Sequence, residues 1–264
     1  MAKIRRVKKI TAGRYVAVVA YDQILASDTP RARQAKRQHS SRARECLNYK
    51  SMWKTLQLLL LCNFSPGDYW VGLDYDDAHL PPKYEAAQAE AKKYIERLRR
   101  QTRKLGAELK YVYNTETLCK DGSRRLHHHL VIGSDGGRIT SELIESLWTN
   151  GGVEIQHLSD DAMYNDDFID LAHYLTKERF PDAPGRKPGK RGYIASTNLS
   201  KPAEESYVID DTMTITAPPG AKIIDQDHKD NEYGRFDYLL YLMPAWPASG
   251  APPRRPKRRK NTRE

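Results

Sequence analysis

Three observations predict an α+β fold. Two runs of strand composition, Leu109 to Thr117 and Leu126 to Ile132, are separated by a short polar connection containing Asp121-Gly122, a strong signal for an antiparallel hairpin. Lys83 to Leu105 reads as a long helix, with Ala86, Ala87, Ala89, Ala91, Ile95 and Leu98 set among Glu, Lys and Arg, and with Gly106 just past its end. Asp166 to Phe180 reads as a second, amphipathic helix whose buried side is Phe168, Ile169, Leu171, Ala172 and Leu175.

The chain has 264 residues, enough for one large domain or a domain with appendages. Its hydrophobic fraction is 39%, its charged fraction 30% and its mean hydropathy −0.75, so much of the surface is solvated and the ends are expected outside the core. A net charge of +10 and a pI near 9.4 favour a polyanionic partner, nucleic acid ahead of an anionic membrane. Cys46, Cys62 and Cys119 are widely spaced and odd in number, which suits a reducing cytoplasm rather than a disulfide framework. No apolar core follows Met-Ala-Lys-Ile-Arg-Arg as in a signal peptide. The most apolar run, Leu56 to Cys62, is too short to span a bilayer, so no membrane partner is expected.

The remaining elements follow in order. Tyr15 to Tyr21 has strand composition, and Arg31 to Arg44 is densely basic. Lys50 to Leu61 continues as a helix with Met52, Leu56, Leu59 and Leu60 on one side. Pro66-Gly67 punctuates the chain before a strand from Tyr69 to Tyr75. After the hairpin, Thr140 to Thr149 reads as a helix with Thr140 or Ser141 near its cap, and Val153 to Leu158 alternates as a short strand. Pro181 to Gly192 is rich in Pro, Gly and basic residues and reads as a mobile loop, followed by an extended segment from Arg191 to Pro202. Weaker strand signals lie around Met213 to Thr216 and Tyr238 to Met243. The organisation read from this is a basic N-terminal region (1–62), a central domain (63–202), a C-terminal extension (203–248) and a disordered basic tail (249–264).

The chemistry centres on His127-His128-His129. Successive strand side chains point to opposite faces, so His127 and His129 share one face and His128 turns to the other. Two imidazoles side by side can grip a divalent cation. With the hairpin centred between Asp121 and Gly122, Glu116 falls opposite His127 and Asn114 opposite His129, which brings a carboxylate to the same face. Downstream, Tyr174 shares a helix face with Lys177 and with Glu178. A phenol with a pKa near 10 attacks phosphorus only with help, from a metal on the phosphate and a cation beside the phenolate.

These motifs resemble the HUH single-strand endonucleases. His127-His128-His129 is similar to their His-hydrophobic-His motif, with a histidine in the middle, and Tyr174-Leu175-Thr176-Lys177 to their Tyr-x-x-Lys motif, in the same order. The continuation into Glu178 and the Ser-x-Asn-Leu-x-Lys-Pro segment ending at Pro202 look like the rolling-circle replication initiator proteins of phages and plasmids. The resemblance implies a central antiparallel sheet flanked by helices, ferredoxin-like or RNA-recognition-like. It implies nicking of single-stranded origin DNA, with a hairpin, through a 5′-phosphotyrosine on Tyr174. Lys177 would assist, Glu116, His127 and His129 would hold Mg²⁺ or Mn²⁺, and Arg124, Arg125 and Arg191 would contact DNA. No G-x-x-x-x-G-K-[ST] pattern occurs, so a host helicase and polymerase are the expected partners. A non-catalytic nucleic-acid-binding protein would account for the charge without Tyr174, and an HUH relaxase or transposase would share the chemistry.

Overall fold

The computed structural model describes residues 3–24, 42–118, 124–160, 165–183, 192–231 and 234–244. The architecture is α+β: two antiparallel sheets of five strands each, with four α-helices among the described residues. The strands are β1 (Lys3–Ala12), β2 (Tyr15–Ile24), β3 (Tyr69–Asp74), β4 (Tyr111–Leu118), β5 (Arg124–Ile132), β6 (Val153–His157), β7 (Ile194–Ala195), β8 (Ala203–Ile209), β9 (Lys222–Asn231) and β10 (Gly234–Leu242). The helices are α1 (Arg42–Asn63), α2 (Tyr84–Lys104), α3 (Ser141–Ser146) and α4 (Ile169–Thr176), with a 3₁₀ turn at Lys177–Arg179.

The central sheet runs β6-β3-β5-β4-β7, with the histidine strand β5 in the middle. On one face, Val71 and Leu73 of β3 and Leu130 and Ile132 of β5 pack against Ala91, Tyr94 and Leu98 of α2 and Ile144 of α3. On the other, Trp70, Val112 and Val131 pack against Leu56 and Leu60 of α1 and Leu171 and Leu175 of α4. Helix α2 ends as its composition predicts. Gly106 takes a left-handed φ of 65°, its N–H bonds Arg103 O, and the Ala107 N–H bonds Thr102 O, the paired bonds of a Schellman cap. Helix α3 starts at Thr140, whose hydroxyl accepts from Leu143 N, and stops earlier than the sequence suggests.

The expected one-sided helix at Lys50 to Leu61 is buried on two sides. Leu56 and Leu60 face the central sheet, while Leu58 faces Ala17 and Leu240 of the second sheet. That is why the run Leu58-Leu59-Leu60-Leu61 carries no clean amphipathic pattern.

The second sheet runs β8-β1-β2-β10-β9, so strands from both ends of the chain interleave. Strands β1, β8 and β9 carry too many charges to announce themselves, and Met213 to Thr216 is not a strand. Ile215 instead packs over the apolar side formed by Val7, Val16, Val18 and Leu239. Arg5, buried in this sheet, bonds Asp22 and Asp237. No helix among the described residues is long and apolar enough to cross a membrane. The Arg31 to Ser41 basic stretch, the Cys119 to Ser123 turn, most of the Pro181 to Gly192 loop and the 249–264 tail lie outside the described residues.

Candidate active site

The register of β4 against β5 decides what shares a face. Glu116 pairs with His127, Thr115 with His128 and Asn114 with His129, the register inferred from the hairpin. The ladder slips by one between Glu116 and Leu118, which leaves Thr117 at a bulge beside the site.

Glu116, His127 and His129 bring one ligand atom each to within 4.8 Å of the others. Glu116 Oε2 stands 3.5 Å from His127 Nε2 and 3.7 Å from His129 Nε2. Ligand atoms bonded at ~2.0–2.2 Å around one ion stand roughly 3 Å apart, so a small contraction would close this set on a cation. Two imidazole nitrogens and a buried carboxylate fit a divalent ion. The Nδ1 of His127 lies 2.8 Å from the Arg125 carbonyl, an outer partner that fixes the ring and leaves Nε2 toward the carboxylate. The indole of Trp70 stacks on His129, with ring centroids 5.0 Å apart and planes 10° apart. Burial alone would raise the Glu116 carboxyl, but the hydrogen bond from His127 and the charges of His129 and Lys177 outweigh it and hold the group below its usual range. Burial likewise works against the charged His127, yet Glu116 and the Arg125 carbonyl raise its pKa.

Tyr174 and Lys177 come from the other layer. The first turn of α4 is tethered by Gln57 Nε2 donating to Asp167 O and Tyr15 Oη donating to Asp166 O. This places Tyr174 Oη 3.1 Å from His129 Nε2 and sets the phenol ring edge-on to Trp70. Lys177 Nζ lies 2.6 Å from Glu116 Oε2 and 3.4 Å from the centre of the Tyr174 ring. A cation there favours phenolate over phenol. The carboxylate–dihistidine set, the phenol and the ammonium thus form one cluster.

His128 turns to the opposite face. It is fully buried, 2.8 Å from Tyr75 Oη and 3.0 Å from Thr115 Oγ1, and burial beside two other imidazoles pushes its pKa down to about 3. His173, which precedes Tyr174, stacks on Trp53 at 4.0 Å. Arg125 donates to Tyr75 O and pairs with Asp77 at the end of β3. The Arg124 side chain and all of Arg191 lie outside the described residues.

Sequence reasoning missed three contributors. Trp70 reaches His129 only through the pairing of β3 with β5 (Gly72 opposite His129), a long-range register with no local signal. The hairpin places Asn114 but gives it no task, and its amide bonds both Glu116 Oε1 and Leu175 O. Glu178 accepts from Thr117 N at 2.7 Å.

Residues 68–179 match the family model of the replication-associated protein ORF2. The matched segment opens just before β3 and closes with the 3₁₀ turn, so it holds the whole cluster described above. No curated protein and no solved structure matches the chain.

Proposed function

We propose, for a chain that carries a replication-associated segment of the ORF2 family, that it nicks single-stranded DNA at a replication origin with Tyr174 as the nucleophile. The observation that carries this reading is the meeting of Tyr174 Oη with His129 Nε2, 3.1 Å apart, beside a buried carboxylate and an ammonium. The Tyr174 oxygen, losing its proton, would bond to phosphorus while the bond to the 3′ oxygen breaks. The departing oxygen takes up a proton, leaving the 5′ phosphate on Tyr174 and a free 3′-OH for extension. Attack of a 3′-OH on the phosphotyrosine reverses the step and rejoins strands at the end of rolling-circle replication.

Lys177 stabilises the phenolate through its place over the ring. Mg²⁺ or Mn²⁺ held by Glu116, His127 and His129 would neutralise charge developing on the phosphate oxygens. Arg124, Arg125 and Arg191 are assigned to the DNA backbone, whose phosphates favour cationic side chains. The natural target is single-stranded origin DNA with a hairpin, in the host cytoplasm, with a host helicase and polymerase completing replication.

The test is covalent capture. Incubated with Mn²⁺ and a labelled, randomised pool of single-stranded oligonucleotides, the protein should form an adduct that peptide mapping places on Tyr174, and Tyr174→Phe should form none. Undiminished nicking by Tyr174→Phe would sink the assignment.

A further inference from the structure

The tyrosine helix and the ligand strand approach each other from different layers, and two hydrogen bonds straddling Glu116 join them. A helix leaves its last carbonyls without intrahelical partners. In α4 the chain tightens into the 3₁₀ turn after Thr176, and the Leu175 carbonyl, next to Tyr174, is taken up by Asn114 Nδ2 at 2.8 Å. The same nitrogen donates to Glu116 Oε1 at 2.7 Å, leaving Oε2 as the oxygen that faces the histidines. Both neighbours are acceptors only, so the amide NH₂ must be the end that faces them. Asn114 is itself buried, at 6% exposure, so no water competes for the pair. Two residues on, the bulge frees the Thr117 N–H from the ladder. Glu178 Oε1 accepts it at 2.7 Å and reinforces the contact with the Thr117 hydroxyl at 3.2 Å. Glu178 directly follows Lys177, so this second bond ties the ammonium-bearing turn to β4.

We infer that Asn114 and Glu178 are positioning residues. Asn114 sets Glu116 in its ligating orientation and spaces it from the nucleophile, and Glu178 fixes Lys177 and Tyr174 over the ligand set. The inference rests on the nicking reading for its activity arm and on the protein alone for its metal arm. Partners of this outer kind are typically worth about 10–100-fold in metal affinity or activity.

The experiment uses the full chain and two readouts: Mn²⁺ binding followed by the loss of free-ion electron paramagnetic resonance signal, without DNA, and the rate of adduct formation on an oligonucleotide captured by the wild-type protein. Asn114→Leu, close in shape and without a donor, should weaken Mn²⁺ binding about tenfold or more, and should slow adduct formation at saturating Mn²⁺ with the KM for DNA unchanged. Glu178→Leu should keep the wild-type Mn²⁺ affinity and lose about tenfold in rate, while Glu178→Gln, which retains the acceptor oxygen, restores it. A purely structural role would lower the yield of folded protein without separating kcat from KM or the Gln variant from the Leu variant. Wild-type Mn²⁺ affinity in Asn114→Leu overturns the role of Asn114, and Glu178→Gln as slow as Glu178→Leu overturns that of Glu178. Should the wild-type protein form no adduct, the nicking reading falls while the Mn²⁺ arm still judges Asn114. No Mn²⁺ binding by the wild-type protein overturns both.

Discussion

The ion pair between Glu116 and Lys177 is lopsided. The carboxylate side chain is wholly buried, whereas the lysine side chain keeps 35% of its surface exposed. Removing the lysine strands a buried charge; removing the charge on the glutamate lets the lysine turn outward into water. In the absence of divalent ions, Lys177→Met should therefore lose about 1–3 kcal/mol of stability and Glu116→Gln less, as measured by urea unfolding in EDTA. Saturating Mn²⁺ should reverse the order, because the ion supplies the missing positive charge to Lys177→Met and finds one ligand weakened in Glu116→Gln. Much of this residue-level picture is legible in the sequence: the alternation of His127 and His129 and the Asp-Gly turn are enough to put Glu116 opposite His127. Trp70 is not, because its contact with His129 depends on how β3, far away in sequence, aligns with β5.

At the scale of elements, the legible pieces are those with a local cause. Helix α2 shows its period and its glycine cap, and β4 and β5 are joined by a turn short enough to set their register. Helix α1 and strands β1, β8 and β9 are obscured by what they pack against or by their charge, as with the two-sided burial of Leu56, Leu58 and Leu60. That burial has a cost when broken. Leu60 is fully buried against the central sheet, and Leu60→Ala should cost about 2–5 kcal/mol in chemical denaturation. The end of β3 is held as tightly. Gly151 lies against its backbone, and a Cβ there would fall 2.4 Å from Asp74 O and 2.5 Å from Asp76 N. Gly151→Ala should push this strand end aside, lowering the urea midpoint by the equivalent of about 1–3 kcal/mol. Because Asp74 pairs with His127, the same change should weaken Mn²⁺ binding.

For the whole molecule, the joint between the sheets matters most. Lys50 and Lys54 of α1 pair with Asp227 and Asp225 of β9, and Lys54 also sits over the ring of Tyr238. Burial pushes the Lys54 pKa down to about 8 despite the pull of Asp225. Since the folded value lies below the unfolded one, the unfolded chain binds more protons between the two, and stability gains as pH rises from about 8 toward 10. Measured against Lys54→Met across that window, the wild-type protein should improve; a pH-independent difference would contradict the buried, depressed lysine. The joint also bears on where the chain can be cut. A fragment of residues 63–202 lacks Leu56 and Leu60, which cover Val112 and Val131. It should remain unfolded by circular dichroism, whereas the full chain folds.

The interleaved order β8-β1-β2-β10-β9 has a consequence during synthesis. Strand β2 leaves the ribosome early, but its inner neighbour β10 pairs Tyr21 with Phe236 and is among the last segments translated. Until then the nascent chain carries Ala17 and the outward side of α1, around Leu58, uncovered. The carboxylate–histidine cluster can assemble on the growing chain, but its supporting helix waits for the final strand, and that interval is when a nascent-chain chaperone has something to hold.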